Sequence, residues 1–442
     1  MNVSFLQVMI FLLAGIAVII LLTAKFRVHA FFALMIACFV TGLGVSMSFA
    51  EIITVIKEGF GNIMRSLGFI IVLGTALGVL LEHTGSTKVM AGYILKKVGD
   101  KNAALALSIT GFIVGLPVFC DSGYIVLSGL NKSLIKRTGI SAVVMSVSLA
   151  TGLYAVHCLL PPHPGAAAAA GTIGVDFGKL ILYGIIIAIP AMIVGHLWAM
   201  YAGKKIKHAT VDEEEILEDS TAHPSVIKAF LPVIVPIVLI AIASFSAEIS
   251  LTNEWIKSLR VLGDPVIALS IGILLAFNAK RNWKRKAVSI LLQESAEKAG
   301  GILVIIGAGG AFGAVLAATK IGDHFSAAFT LNTLGLLFPF LLTFILKTAQ
   351  GSSTVAIITA ASIVQPLLPA LGLNTESGKL LAVLSMGAGS MMISHANDAY
   401  FWVITKFSGI EMKAMLKVYS TATIFMGLVT LLMVYILSLL LL

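Results

Sequence analysis

Apolar residues run along the chain in blocks of about twenty, parted by short polar or basic stretches, and a block of that length fits the ~30 Å of hydrocarbon that one helix must cross. The pattern predicts spans at 5–23, 30–48, 66–82, 139–160, 179–202, 226–248, 264–279, 301–318, 379–402 and 418–441. Mixed polar and apolar stretches at 51–65 and 287–299, each just ahead of a span, suit helices lying along the membrane surface. Two further apolar regions, 103–131 and 325–370, hold polar residues near their centres and have flanking charges on one side. Both read as re-entrant hairpins, so the expected fold is an all-α membrane protein of about ten full spans plus two hairpins.

Four polar stretches interrupt this pattern, two in each half: GLPVFCDSG (115–123), VHCLLPPHPG (156–165), KTAQGSST (347–354) and SHAND (394–398). Polar or proline-rich backbone inside hydrocarbon survives only where protein or a wet cavity satisfies it, because each unsatisfied group costs several kcal/mol. The second stretch breaks a helix over 139–176 and the fourth breaks one over 379–402, while the other two are hairpin tips. Matched breaks in both halves are the mark of a secondary transporter's substrate site.

Composition agrees with this class, at 58% hydrophobic and 12% charged residues. A net charge of +9 would raise nucleic acid in a soluble protein, but the basic residues lie in short clusters between apolar runs, which follows the positive-inside bias and excludes that partner. The clusters at Lys25/Arg27, Lys96/Lys97/Lys101, Lys132/Lys136/Arg137, Lys204/Lys205/Lys207, Lys280–Lys286 and Lys406/Lys413/Lys417 all fall inside if both termini lie outside. The first run lacks a basic stretch ahead of it, so it reads as a retained helix and not a signal peptide. Cys38, Cys120 and Cys158 match neither a disulfide framework nor a zinc motif.

With this orientation the first hairpin enters from the cytoplasm and the second from the exterior, which makes two inverted repeats, 1–202 and 226–442, joined by a charged cytoplasmic linker at 203–225. The linker carries the acidic run VDEEEILED (211–219). Internal similarity supports the division: Arg65–Gly78 aligns without gaps on Lys298–Ala311, matching Arg65 with Lys298, Gly68 with Gly301 and Gly74 with Gly307. Chance likeness between glycine-rich membrane helices is the alternative.

The breaks also carry candidate chemistry. Asp121 sits at the first tip beside Ser122 and Gly123, and a mid-membrane carboxylate usually marks an ion or proton pathway, although it can also cap a half-helix. Pro161, Pro162 and Pro164 unwind the second break, and the alanine-rich run after it restarts a helix whose N-terminus suits an anion. His157 and His163 flank that break and can carry a proton or meet substrate oxygens. Gln350, Gly351, Ser352, Ser353 and Thr354 offer an amide and hydroxyls for carboxylate or hydroxyl oxygens, and Ser394, His395, Asn397 and Asp398 form the densest polar run in any span.

At these residues the chain resembles the gluconate permease (GntP) family, within the ion transporter superfamily, over essentially its full length. GLPVFCDSG looks like the family's G-[LIF]-P-[LV]-F-F-[DE]-x-G tip, with Cys120 where phenylalanine is usual and Ser122 where valine is frequent. PPHPG, AQGSSTVA and SHANDAYFW look like its other three motifs. The resemblance implies proton-coupled import of gluconate or a related sugar acid or hydroxy acid across the bacterial cytoplasmic (inner) membrane. It further implies a homodimer working by an elevator motion, with no cofactor. The expected assignment gives the substrate to Asp121, Ser122, Gly123, His163, Gln350, Gly351, Ser352, Ser353, Thr354, His395 and Asn397, and the coupling proton to Asp121 or Asp398, with His157 as a further carrier. A sodium-coupled organic anion symporter is the alternative, since unwound carbonyls with Ser, Asn and Asp also suit Na⁺. A Ser352–His395 intramembrane hydrolase lacks an orienting third group, and His157, His163, His395 and Asp398 lack metal-ligand spacing.

Overall fold

Ser48 accepts a hydrogen bond from the Glu51 amide while Glu51 accepts one from the Ser48 amide, a capping box that starts α3 (Phe49–His83). Its 35 residues include no proline, so nothing ends the helix before His83. In the computed structural model, which describes residues 4–206, 224–248, 258, 260–280, 283–320 and 335–441, no strand occurs among the described residues. Ahead of α3 lie α1 (Phe5–Ile20) and α2 (Ala30–Gly44), and after it α4 (Ser86–Val98), α5 (Ala103–Gly115), α6 (Cys120–Thr138), α7 (Ala142–Leu159), α8 (Pro164–Ile173) and α9 (Phe177–Gly203). The second half brings α10 (Val226–Glu248), α11 (Pro265–Asn278), α12 (Arg285–Ala318), α13 (Leu337–Gln350), α14 (Ser353–Val364), α15 (Glu376–Met391), α16 (Ala399–Ser408) and α17 (Met412–Leu441).

Two expectations are corrected. The stretches 51–65 and 287–299 are not separate surface helices: they continue without a break into the spans that follow, as α3 and as the 34-residue α12. At 1.5 Å per residue each is about 50 Å long, well beyond the hydrocarbon thickness. The amphipathic helix α4, between the third expected span and the first hairpin, went unforeseen because its thirteen residues mix polar and apolar side chains evenly. Among the described residues seven helices are long and apolar enough to cross a membrane, and α2 and α11, expected as spans, are shorter. The acidic run 211–219 and the start of the second hairpin lie outside the described residues.

A long helix, a hairpin, a broken helix and a final long helix follow in that order twice, as α3, α5–α6, α7–α8, α9 and as α12, α13–α14, α15–α16, α17. The two long helices cross on glycine. A methyl group on Gly59 would meet Ala314 Cβ and the Gly310 carbonyl, each at 2.6 Å, and one on Gly310 would meet the Gly59 carbonyl at 2.8 Å. Glu82, at the end of α3, lines a small pocket with Lys298, which lies earlier in α12 than the Gly310 and Ala314 that meet Gly59, so the pair runs antiparallel. Backbone this close needs residues without side chains, as helix contacts in lipid generally do.

Candidate functional site

Each break ends one helix and starts another. At the first, Leu116–Phe119 with Pro117 separate α5 from α6, and Asp121 falls in the first turn of α6, where the exposed amides favour negative charge. At the second, His163 stands at the N-cap of α8 with Pro164 in the first turn, the position where a missing N–H costs nothing. At the third, Gly351 takes a left-handed φ of 82°, and Ser352 then caps α14 by accepting the Val355 amide at 3.3 Å. At the fourth, Asp398 caps α16 by accepting the Tyr400 amide at 3.0 Å.

These four points are tied to one another. His163 Nε2 donates to the Gly115 carbonyl at 2.6 Å, joining the first broken helix to the first tip. Asn397 Nδ2 donates to the Thr348 carbonyl at 2.7 Å, joining the second broken helix to the second tip. Gly165 presses on Thr354, since a methyl group there would meet Thr354 Cα at 3.2 Å, so α8 of the first half packs on α14 of the second. In the reverse sense α16 packs on α6. Two tyrosines cross between halves as well: Tyr154 donates to the Ser390 carbonyl and Tyr400 to the Ala150 carbonyl, both at 3.1 Å, and their rings stack with centroids 5.7 Å apart.

Five buried polar atoms at these breaks have no hydrogen-bond partner among the described residues: His157 Nδ1, His163 Nδ1, Thr348 Oγ1, and both Gln350 Nε2 and Gln350 Oε1. Because the Gly115 carbonyl can only accept, His163 carries its hydrogen on Nε2 and keeps Nδ1 as an acceptor. The His157 ring lies 4.9 Å from it, centroid to centroid. Orphan polar atoms in an apolar interior are costly and call for a ligand or water. Asp121 has one hydrogen-bond partner among the described residues, the weak Cys120 Sγ donor at 3.8 Å, and it lies close enough to Asp398 for their charges to interact.

The other expected site residues have the following surroundings. Ser122 lines the small pocket that holds Glu82 and Lys298, together with Pro117 and Phe119 of the first tip. Gly123 is pressed against Leu153, which a methyl group would meet at 2.8 Å. Asn397 commits its amide nitrogen to the hairpin, and Ser352 Oγ accepts its cap bond from the Val355 amide, which leaves the hydroxyl hydrogen to donate, with no bond to His395 among the described residues. Ser353 is buried, and Thr354 and His395 are partly buried at the same breaks. An apolar cleft behind Leu116, Pro117, Pro161 and Pro162 has no polar side chain in its lining, so it offers a hydroxy acid nothing to bond.

Reading the sequence missed Lys347. Its ammonium is fully buried, donating to Asp398 Oδ2 and to the Gly351 carbonyl, each at 2.7 Å. The signal was a lysine at the end of an apolar run, which resembles an ordinary membrane-edge charge. Tyr154 and Tyr400 were missed too, since an aromatic in an apolar block carries no mark of its hydroxyl's destination.

The profile described as GntP family permease matches residues 7–440. A gluconate permease of Pseudomonas aeruginosa is 33% identical over 438 residues, with 96% of each chain covered. The Gnt-II system L-idonate transporter of Escherichia coli is 31% identical, covering 93% of this chain and 94% of that one. The D-serine transporter DsdX of Escherichia coli is 29% identical, with 97% of each covered. Among solved structures, the Alcanivorax borkumensis YdaH transporter has the same fold, with a TM-score of 0.60 at 14% identity over 89% of this chain and 90% of that one.

Proposed function

This chain belongs to the GntP family of permeases, a transporter of small organic acids and not an enzyme, and we propose that it imports gluconate or a related hydroxy acid together with protons. The observation that carries this reading is the gathering of four helix starts, α6, α8, α14 and α16, with the orphan atoms of His157, His163 and Gln350 among them. Helix N-termini present free amides and positive dipole to a carboxylate. Neutral imidazole and amide groups pair with hydroxyls without adding charge in the membrane. Ser353, Thr354, Gly351 and His395 complete the proposed substrate set, and Asn397 holds the tip in place.

Asp121 is the proposed proton carrier. Its carboxylate has no cation bound to it among the described residues, whereas Asp398 is neutralised by Lys347 and further held by Ser394 at 2.5 Å. A carboxylate without a fixed partner can exchange a proton during the cycle; one clamped in an ion pair resists it. His157 stays as a further carrier in the same cluster.

Inverted repeats in the inner membrane, with both termini outside, are part of the proposal. The Arg137–Asp100 ion pair at 2.5 Å joins the two ends of the first hairpin, as entry and exit on one side require. Lys179 and Glu376, both expected outside, pair at 3.1 Å. The antiparallel crossing of α3 and α12 supports the same reading. A homodimer moving its transport domains by an elevator motion completes it, by likeness to the superfamily. The test is Asp121→Asn in proteoliposomes: gluconate accumulation driven by a pH gradient is lost while counterflow exchange persists. Unchanged accumulation removes Asp121 from the coupling step, and no uptake of gluconate, idonate or shorter hydroxy acids by the unaltered protein removes the substrate assignment.

A further inference from the structure

The Lys347 ammonium bridges oxygens of two kinds. It donates to the main-chain carbonyl of Gly351 at the unwound hairpin tip and to the carboxylate Oδ2 of Asp398, each at 2.7 Å, and that same oxygen accepts the Ser394 hydroxyl at 2.5 Å. Lys347 is fully buried, and the Asp398 side chain is 9% exposed. An unwound carbonyl and a carboxylate on one cation, with a hydroxyl on the same carboxylate oxygen, are hard-oxygen chemistry, the kind that binds a small cation. Here the positive charge at that point belongs to the chain itself. It reaches forward four residues to the carbonyl of its own hairpin and across 51 residues to the broken helix, bridging two elements as a bound ion would.

We propose that Lys347 is a tethered cation occupying a sodium-type position, and that it fastens the second hairpin tip to the broken helix α15–α16 without any ion from solution. Two consequences follow from the chemistry. The unaltered protein has no use for sodium at this point, because the charge the oxygens require is already present. Removing the ammonium leaves Asp398, Ser394 and the Gly351 carbonyl as a vacant oxygen set around a buried, uncompensated carboxylate, a state strongly destabilised until another cation enters. Sodium of matching charge then restores what the lysine supplied. The uptake part of this inference rests on the transport reading above; the binding part does not.

The experiment compares thermal unfolding of the purified full-length protein in sodium chloride and in choline chloride, for the unaltered protein, Lys347→Arg and Lys347→Gln. The unaltered protein and Lys347→Arg melt at the same temperature in both salts. Lys347→Gln melts lower in choline and gains a saturable upward shift of about 3 °C in sodium, the size expected when a ligand well above its Kd binds only the folded state. In proteoliposomes, gluconate uptake by Lys347→Gln is lost in choline and recovers about tenfold in sodium, while the unaltered protein is indifferent to the change. A sodium-dependent shift in the unaltered protein overturns the proposal, as does a folded Lys347→Gln with none. If Lys347→Gln is recovered folded only when prepared in sodium, the proposal stands. If it is lost in both salts while the charge-free pair Lys347→Met with Asp398→Asn folds, sodium cannot replace the ammonium and the proposal fails.

Discussion

Asp398 has both carboxylate oxygens engaged inside the protein, Oδ2 by Lys347 and Ser394 and Oδ1 by the Tyr400 amide. Asp121, on the facing tip, has one weak thiol contact. Two aspartates that look alike in sequence therefore respond differently to the same change. Asp398→Asn strands a buried ammonium and destabilises the protein by about 3–5 kcal/mol, read as a large fall in melting temperature and in the monodisperse fraction from detergent. Asp121→Asn leaves the melting temperature within about 1 °C and alters proton coupling alone. Asn397→Ala frees the Thr348 carbonyl and costs about 1–2 kcal/mol, checked in the same melt. Asp121 was legible in the sequence because a carboxylate amid proline, glycine and apolar residues has no ordinary explanation. The contrast with Asp398 was not legible, since it depends on Lys347, and nothing in a linear reading pairs residues 51 positions apart.

Among elements, the hairpin tips and broken helices could be located from residue types alone, because proline and glycine inside an apolar block have few structural uses. The true length of α3 and α12 could not. Periodicity changes at 66 and 301, from mixed to apolar, but the backbone continues, and only caps and the absence of proline decide where a helix stops. Their crossing yields a prediction. Gly59→Val places branched carbons where Ala314 and the Gly310 carbonyl already stand, and overpacking of this kind costs about 1–3 kcal/mol, seen as a lower melting temperature. Gly351→Ala acts by another route. Its left-handed φ of 82° costs a side chain about 1–2 kcal/mol, and the added methyl group would strike the Asn397 carbonyl. Uptake falls with it, since the second tip and the fourth break are displaced together.

For the molecule as a whole, the order of elements in the second half repeats that of the first, and charge clusters had already suggested opposite orientations. Single cysteines decide the matter, because Cys38, Cys120 and Cys158 are buried and give little background. Arg137→Cys and Glu376→Cys replace side chains that are 54% and 89% exposed. A membrane-impermeant thiol reagent labels the first from the cytoplasmic side and the second from outside; labelling of both from one face sinks the inverted arrangement. What sequence could not convey at this scale is how the halves share their interior, and the tyrosines show it. Tyr154 satisfies a carbonyl of the second half and Tyr400 satisfies one of the first. Neither half is a finished unit by itself, so the gene cannot be divided at the linker and the pieces stockpiled separately. Residues 1–206 and 224–442 made in different cells fail to accumulate, and made in the same cell they rescue each other, as two subunits do that have never had an independent life.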